Sequence, residues 1–528
     1  MTGSKATNTF KLGVFMMMAL TIVVSGCSSD SGSSEGTSTP APTNQPASQT
    51  PSTDEGILED RTISKFLLSN PTWPYDEQWP IWSMIKEQTG YDVSVQVSAG
   101  NYDEALNLII AANSTPDLLY MPDIATANRF GQQGALVNLL DHLDVMPNFT
   151  QWMEQHPEAV EAARAADGNI YIAPVEGIGE ANRDVWYYRK DIFDKHGLEV
   201  PKDYDEMYEV LKELKRLYPE SYPFTSRRWF IPLGQMVTAF GAPAKITADV
   251  EPVYYDFDEQ TFNYGPITEG YKKMVEYASK FYAEGLIPPD FLTMDNKQWQ
   301  DIYASDKAFI TPDKIGRIDF LNSAMREGNP EFDIQFMPPP AGEAGGEQIS
   351  PFTAQAEASL SVSTRTKQVE NAMEYLDFFY SEKGMLLSSW GAEGVSYETV
   401  NGEKRFLPDY KTVSDIRMKL GLATPGVSTW IDNEAHVSLS SEETKIAYTE
   451  APSYDAPRQP TVPFTETENE EVALLEQTIK KYSDEQIARF ILNEKDLSEW
   501  DSYVEEVRAM GVDRLLDYYT SAYERMQH

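Results

Sequence analysis

The chain has 528 residues, 24% of them charged, and a formal net charge of −40 at pH 7. So strong an excess of acidic residues argues against binding to nucleic acid and against direct adhesion to an anionic membrane surface. The length is sufficient for a large hydrophobic core and predicts two lobes.

The N-terminus has the features of an export signal. Two lysines precede an apolar segment at residues 12–24, which is shorter than the roughly 20 residues of a membrane span but typical of a signal-peptide core. The segment leads into the tetrapeptide VSGC, which ends in Cys27, the only cysteine of the chain. This pattern resembles the lipobox of bacterial lipoproteins. The resemblance implies that residues 1–26 are removed and that Cys27 carries lipid, with palmitate among its acyl chains. A chance cysteine after an ordinary export signal is the alternative.

The segment after Cys27 is poor in apolar residues. Residues 28–53 consist almost entirely of Ser, Thr, Gly, Pro, Ala, Gln and Asn. Such a composition cannot bury enough apolar surface to offset the entropy of ordering the chain. We therefore interpret residues 27–60 as a disordered tether, with the folded body beginning near residue 61.

The first part of the folded body alternates between strand and helix patterns. Strands are expected at 62–68, 91–97 and 117–121, and helices at 81–89, 102–112 and 124–130. Within the second helix, Ala105, Leu108, Ile109 and Ala112 form the expected apolar face. The alternation indicates a parallel α/β sheet, in which ligands bind beyond the carboxyl ends of the strands.

The rest of the chain is rich in helices. Asp203 is a suitable N-cap for a helix that extends to residue 217. Further helices are expected at 270–283, 369–380 and 497–523, the last broken at Gly511. A run of three prolines followed by glycines at 338–346 indicates a loop or a crossover.

Common catalytic and cofactor motifs are absent from the sequence. It contains no H-E-x-x-H, G-x-S-x-G, Walker, dinucleotide-binding or EF-hand pattern. The five histidines are scattered without metal-ligand spacing. With 83 Asp and Glu, pairs of carboxylates arise by chance and carry no information about glycoside hydrolysis. We expect neither a cofactor nor a bound metal.

Several segments together are similar to one family of exported proteins. The matching segments are YDEALN at 102–107, AA at 111–112, PDL at 116–118, WYYRKDIF at 186–193, GLEVP at 197–201, FYAEGLIPP at 281–289, GAEGVSYE at 391–398 and MGVDR at 510–514. Their order and spacing resemble the family 1 extracellular solute-binding lipoproteins of bacterial ABC importers.

The resemblance implies an α/β, α-rich fold of the type II periplasmic-binding-protein kind, with two lobes, a cleft between them and several hinge crossings. We expect residues 61–180 and about 305–370 to form the N-terminal lobe, and residues 181–304 and about 371–528 to form the C-terminal lobe. The implied function is capture of a carbohydrate, usually an oligosaccharide, and its delivery to ABC permease subunits. The protein would be a monomer without enzymatic activity, lipid-anchored on the extracytoplasmic face of the cell membrane.

Three other functions fit the sequence. A protein of the same class could bind peptides or another small polar solute. An exported glycoside hydrolase would need two carboxylates facing each other across a cleft. A surface adhesin would present a broad interface without a closing cleft.

The sequence departs from some relatives at a calcium loop. Alginate-binding relatives carry this loop after the helix that corresponds to residues 203–217. Here residues 218–223 contain one carboxylate, at Glu220, whereas Ca²⁺ takes six to eight oxygen ligands. A metal site is therefore not carried over to this chain.

Candidate ligand-binding residues fall at strand ends, at the presumed lobe crossing and at glycine-rich turns. For the aromatic members the role would be stacking on a sugar ring, and for the charged members hydrogen bonding to hydroxyls or carboxylates. The candidates are Trp73, Asp123, Arg183, Trp186, Arg227, Trp229, Lys314, Arg317, Trp390, Glu393 and Tyr397.

Each candidate has a structural alternative. The tryptophans could pack in a core, and Asp123 could cap the helix that follows it. Arg183 could form an ion pair. Arg227 belongs to a basic–aromatic patch with Arg228 and Trp229, which is unusual in so acidic a chain. The glycines around Glu393 could serve a tight turn with Tyr397 packed inside.

Overall fold

The computed structural model describes residues 61–71, 73–98, 100–176, 182–246, 249–353, 358–424, 426–427 and 431–527. The expected signal peptide at 1–26, the tether at 27–60 and the lipidation site at Cys27 lie outside the described residues.

The described residues form α-helices and short strands. The strands are β1 Arg61–Leu67, β2 Tyr91–Val97, β3 Leu118–Met121, β4 Asp184–Arg189, β5 Val253–Asp256, β6 Thr261–Tyr264, β7 Ile310–Lys314, β8 Ile334–Met337, β9 Ser359–Val362, β10 Tyr397–Val400 and β11 Glu403–Phe406. The helices are α1 Pro80–Thr89, α2 Tyr102–Ala111, α3 Ile124–Gln132, α4 Pro147–Gln155, α5 Pro157–Ala163, α6 Lys190–His196, α7 Tyr204–Leu217, α8 Phe230–Ala239, α9 Glu269–Ala283, α10 Asn296–Ala304, α11 Arg317–Arg326, α12 Val369–Phe378, α13 Glu382–Trp390, α14 Val413–Leu420, α15 Asn433–Ser438, α16 Glu442–Glu450, α17 Glu466–Ile491, α18 Trp500–Ala509 and α19 Val512–Met526.

The first sheet has the strand order β2-β1-β3-β9. β1 runs parallel to β2 and to β3, which confirms the parallel α/β arrangement expected from the alternation of strands and helices. β9 pairs with β3 in the antiparallel sense and comes from much later in the chain. Its pairing could not be read from the local pattern, because a four-residue buried strand gives little periodic signal.

The face that helix α2 presents to the core matches the expected one in part, because Ala105 and Ile109 pack against the core. Tyr102 and Leu106 are buried, whereas Leu108, on the predicted apolar face, is 70% exposed. The hydroxyl of Tyr102 donates to the backbone oxygen of Tyr120 at the end of β3. This bond fixes the first turn of α2 against the sheet, so the aromatic ring decides which face is buried.

The second sheet has the strand order β7-β4-β8, with both outer strands antiparallel to β4. Successive side chains of β4 point to opposite faces. Val185 and Tyr187 enter one hydrophobic cluster, and Trp186 enters another, which also contains residues of α17, α18 and α19. The second sheet is therefore covered on both faces.

The chain passes between the two sheets more than once. The core around the first sheet draws on residues 63–173 and 360–427, and the clusters around the second sheet draw on 185–337 and 447–515. These cores give boundaries that differ from the expected ones. Residues 310–337 pair with β4 instead of joining the first lobe, and α12 packs in the first core instead of the second.

Candidate functional site

Both sheets place one edge beside the segments that connect them. β9 begins at Ser359, directly after the segment by which the chain returns from the second core to the first. Ser359 pairs with Met121 at the carboxyl end of β3. β4 begins at Asp184, directly after the segment by which the chain first leaves the core around the first sheet. Asp184 pairs with Lys314 at the end of β7. The carboxyl end of the parallel first sheet and the β4–β7 end of the second sheet therefore lie on the connecting side. We call this side, marked by Met121, Ser359, Asp184 and Lys314, the crossing edge. Open α/β sheets bind ligands beyond the carboxyl ends of their strands.

Trp73 lies in the loop after β1, on the first-sheet side of the crossing edge. Its ring is half-buried, and the guanidinium carbon of Arg417 in α14 lies 4.6 Å from the ring centroid. Burial lowers the pKa of Arg417 to about 10. Within the described part of the chain, the buried Nε1 of Trp73 has no hydrogen-bond partner. The exposed part of a half-buried aromatic ring is a suitable platform for a sugar ring.

Asp123 caps helix α3. One carboxylate oxygen accepts the backbone N–H of Thr126 at 2.6 Å, and the other accepts the Thr126 hydroxyl at 3.0 Å. Both oxygens already hold partners from the first turn of the helix, as is typical of an Asp N-cap. The structure thus gives Asp123 the capping role that was the alternative to ligand binding.

Three cations on the second-sheet side are paired with carboxylates. Arg227 makes a bidentate pair with Asp313 through Nε and Nη2, at 2.6 and 2.8 Å. Lys314 contacts Asp184 at 2.9 Å. The third pair joins Arg183 to Asp455 at 2.5 Å.

These pairs are largely buried. The side chains of Arg227 and Asp313 are 7% and 0% exposed. Burial opposes the charge of Arg227, but the neighbouring Asp313 more than compensates, and the pKa of Arg227 is raised. Burial also raises the pKa of Asp184, and Lys314 limits that rise. Paired and buried charges of this kind position the strands and leave these side chains with little capacity for a ligand.

Arg317 and its neighbour Arg228 differ from the other basic side chains of this edge. In the part of the chain that the structure describes, neither guanidinium has a carboxylate within ion-pair distance. The Arg317 guanidinium contacts the ring of Phe320, 4.8 Å from its centroid. Arg228 stands beside Arg227 in the basic–aromatic patch but was not among the candidate residues.

Three of the four candidate tryptophans lie in hydrophobic cores. Trp186 is 1% exposed, stacks on Phe224 and donates Nε1–H to Gln235 at 3.1 Å. Trp229 is 5% exposed and meets Phe291 edge-on. Their burial differs from the expectation that they line a cleft, because apolar neighbours already cover their rings.

The aromatic candidates at the glycine-rich turn around residues 391–397 are also buried. Trp390 is 3% exposed and stacks on Phe406 with a centroid distance of 4.8 Å. Gly391 has φ +82°, and a Cβ there would lie 2.3 Å from the Ser396 hydroxyl oxygen, so the turn requires glycine. Tyr397 is buried against Trp390, and Glu393 is exposed. This arrangement is the tight turn that was the alternative to a ligand site.

The candidate residues omitted a buried lysine in β1. Lys65 is 0% exposed, and its Nζ donates to the backbone oxygens of Gly426 and Val427 at 3.1 and 3.4 Å. Burial lowers the pKa of Lys65 to about 7. The signal was available in the strand period, since Lys65 shares a face with Ile63 and Leu67, both buried.

Two other features are absent from the described residues. No helix there combines the length and the apolar character needed to cross a membrane. Nor does any group of three or more His, Cys, Asp or Glu side chains within the same ranges have an arrangement suited to a metal ion.

Comparison with known proteins identifies the family. A family model described as bacterial extracellular solute-binding protein matches residues 80–386, which is more than half of the chain. The chain belongs to this family of bacterial extracellular solute-binding proteins. Members of the family and the relatives named below are binding proteins rather than enzymes.

Two curated relatives and one solved structure illustrate the similarity. Lipoprotein LipO of Bacillus subtilis is 24% identical over 67% of this chain and 71% of its own length. The fructooligosaccharide ABC transporter substrate-binding protein FusA of Streptococcus pneumoniae is 21% identical over 89% of this chain and 91% of its own. The crystal structure of the alginate-binding protein AlgQ2 without calcium ion is 22% identical, with a TM-score of 0.72, over 88% of this chain and 99% of that chain. The structural similarity confirms the expected α/β fold of the two-lobed, type II solute-binding kind.

Proposed function

We propose that this protein captures an oligosaccharide outside the cell and delivers it, chemically unchanged, to the permease subunits of an ABC importer. The observation that carries the proposal is the family match together with a full-length relative, FusA, whose name specifies fructooligosaccharides. The geometry agrees, because each sheet has one end next to the segments by which the chain passes from one core to the other. Such connections allow lobes to close over a ligand.

The ligand would bind at the crossing edge, between lobes that follow the two hydrophobic cores. Residues 63–173 and 360–427 would move as one lobe, and residues 185–337 and 447–515 as the other. Trp73 would supply a stacking surface from the first lobe. Arg228 and Arg317, which form no ion pair among the described residues, would supply polar contacts from the second.

The proposal is tested by titration calorimetry of the purified chain against a panel of neutral and acidic oligosaccharides and peptides. We expect saturable binding of at least one saccharide and a smaller radius of gyration in solution scattering when it is bound. Binding of peptides alone would contradict the carbohydrate assignment. Release of new reducing ends during incubation would contradict the claim that the ligand is left unchanged.

Trp73→Ala should weaken saccharide binding about tenfold, because nucleobase stacking on an aromatic side chain contributes about 1–3 kcal/mol and the C–H face of a sugar ring should contribute a similar amount or less. Calorimetric affinity measures the change. Trp82→Ala is the matched control, since Trp82 is also a half-buried tryptophan near this loop and its Nε1–H is used by the Asp76 backbone oxygen. Equal affinities for both variants and the parent would remove Trp73 from the site.

We also propose that Cys27 anchors the protein to the outer face of the cell membrane through lipid. The lipobox motif supports this, as does the lipoprotein designation of LipO. Cys27→Ala should move the protein from the detergent phase to the aqueous phase in a detergent-partitioning experiment on expressing cells. A variant that partitions as the parent does would exclude anchoring through this thiol. Cys27→Ser serves as a near-isosteric control and should behave like Cys27→Ala.

A further inference from the structure

The start of β4 is surrounded by more positive than negative charge. Five basic side chains and three acidic side chains meet there; these are Arg183, Arg227, Arg228, Lys314 and Arg317, with Asp184, Asp313 and Asp455. The chain as a whole has the opposite bias, with 83 acidic and 43 basic residues. A local excess of positive charge in so acidic a protein calls for a physical reason.

Backbone contacts bring Arg228 and Arg317 to the same end of the second sheet. The Thr225 N–H donates to the Ile310 oxygen at 3.3 Å, and the Thr311 hydroxyl donates to the Thr225 oxygen at 2.7 Å. The segment with Arg228 therefore runs beside β7. Arg317 follows the end of β7 by a few residues, where the Ile315 N–H donates to the Arg183 oxygen at 2.8 Å.

The carboxylates of this cluster are already engaged. Asp313 holds Arg227 with both oxygens, and Asp184 holds Lys314. Partial desolvation lowers the pKa of Arg228 and of Arg317, the positive charge of Arg227 lowers both further, and Asp313 acts on both in the opposite direction. Each of these two arginines thus experiences other positive charges and, among the described residues, no carboxylate at ion-pair distance.

The pair is nevertheless accessible. Arg228 is exposed and Arg317 is half-exposed, and Gly316 beside it is also exposed. Both lie on the crossing edge, where the ligand is proposed to bind. A guanidinium presents donors in a fixed planar fork that matches carboxylate, sulfate and phosphate oxygens.

We propose that Arg228 and Arg317 bind an anionic substituent of the saccharide, so that the ligand is an acidic oligosaccharide and not a neutral one. This inference rests on the proposed function and specifies its substrate class. The anionic group would supply the counter-charge that no carboxylate of the described residues supplies at ion-pair distance. Binding would relieve the repulsion among Arg227, Arg228 and Arg317. A uronic acid carboxylate and a sulfate ester have the same recognition chemistry, and the experiment separates them.

The test titrates the full chain with oligogalacturonate, with a sulfated oligosaccharide and with a neutral oligogalactose of the same length. Arg228→Gln and Arg317→Gln should each weaken binding of the acidic ligand about tenfold to a hundredfold, because each removes a charge-assisted hydrogen bond. Affinity of the parent for the acidic ligand should fall as NaCl is raised. The neutral oligogalactose should bind the parent more weakly than the acidic ligand, and neither substitution should change that weak binding.

Arg365→Gln is the control, since Arg365 is an exposed arginine in the loop after β9 with no ion pair among the described residues. Melting temperatures check folding, and salt dependence of the parent tests the idea without any variant. If only one of the two acidic ligands binds the parent and loses affinity in the variants, its charged group identifies the recognised anion as carboxylate or sulfate. Salt-independent binding that both variants retain would overturn the inference and leave the proposed function standing. Failure of every saccharide to bind the parent would overturn both.

Discussion

Replacing Asp313 by alanine should lower the free energy of unfolding by about 3–5 kcal/mol, the range typical for breaking a buried ion pair by removing one partner. Both Asp313 oxygens are bonded to Arg227, and neither side chain is more than 7% exposed. The substitution would leave Arg227 buried without its counter-charge. Arg228 and Arg317, which lie close by, would add repulsion to the cost.

Urea denaturation of the parent and the variant measures this loss. Glu213→Ala is the matched control, because it removes the exposed pair with Arg216 on α7, whose side chains are 39% and 68% exposed. That pair is open to solvent, so its loss should have little effect on the free energy of unfolding. The double variant Arg227→Met/Asp313→Leu should recover most of the stability, since it removes both buried charges together. If Asp313→Ala costs no more than Glu213→Ala, the buried pair does not stabilise the second sheet.

The second large effect concerns Lys65 and pH. Its pKa in the folded chain is lowered to about 7 by burial, from an ordinary value of 10.5. Between these values the unfolded chain retains a proton that the folded chain has released, so the unfolded state binds more protons. The free energy of unfolding should therefore rise with pH in this window, by up to about 1.4 kcal/mol per unit from this side chain.

The substitution Lys65→Met isolates the effect, because methionine has a similar length and does not titrate. The difference in unfolding free energy between parent and variant should change in favour of the parent by up to about 4 kcal/mol from pH 7 to pH 10. His436, whose pKa burial lowers to about 3, does not titrate in this range. Lys383→Met, at an exposed position, is the control and should show no such slope. A constant difference between parent and Lys65→Met would mean that Lys65 stays protonated in the folded chain.

Local sequence patterns predicted the elements well where the period was clear. β2, α7 and the helices interrupted at Gly511 all occur within a few residues of their expected bounds. The lobe boundaries could not be predicted in this way. They depend on which strands pair across long stretches of chain, as β9 does with β3, and single-strand patterns contain no information about partners.

The candidate site was harder to predict than the fold. A tryptophan near a strand end can stack on a ligand or fill a core, and only the neighbours in three dimensions decide. Phe224 and Phe406 cover Trp186 and Trp390. Likewise Arg227 and Arg228 are adjacent in sequence, but Asp313, from a distant strand, neutralises only the first. The sequence indicated the basic–aromatic patch, but it could not indicate which of its two arginines is available to bind a ligand.

The discontinuous cores have a consequence for the newly made chain. A polypeptide emerges from the ribosome N-terminus first, so β1, β2 and β3 are present long before β9, which completes their sheet. The core that covers the second sheet is completed later still, because it includes residues of α17, α18 and α19, which come last among the helices. Pairing across such distances makes folding slow. Until residues 359–362 arrive, one edge of β3 stays open to other strands, and aggregation competes with folding during that interval.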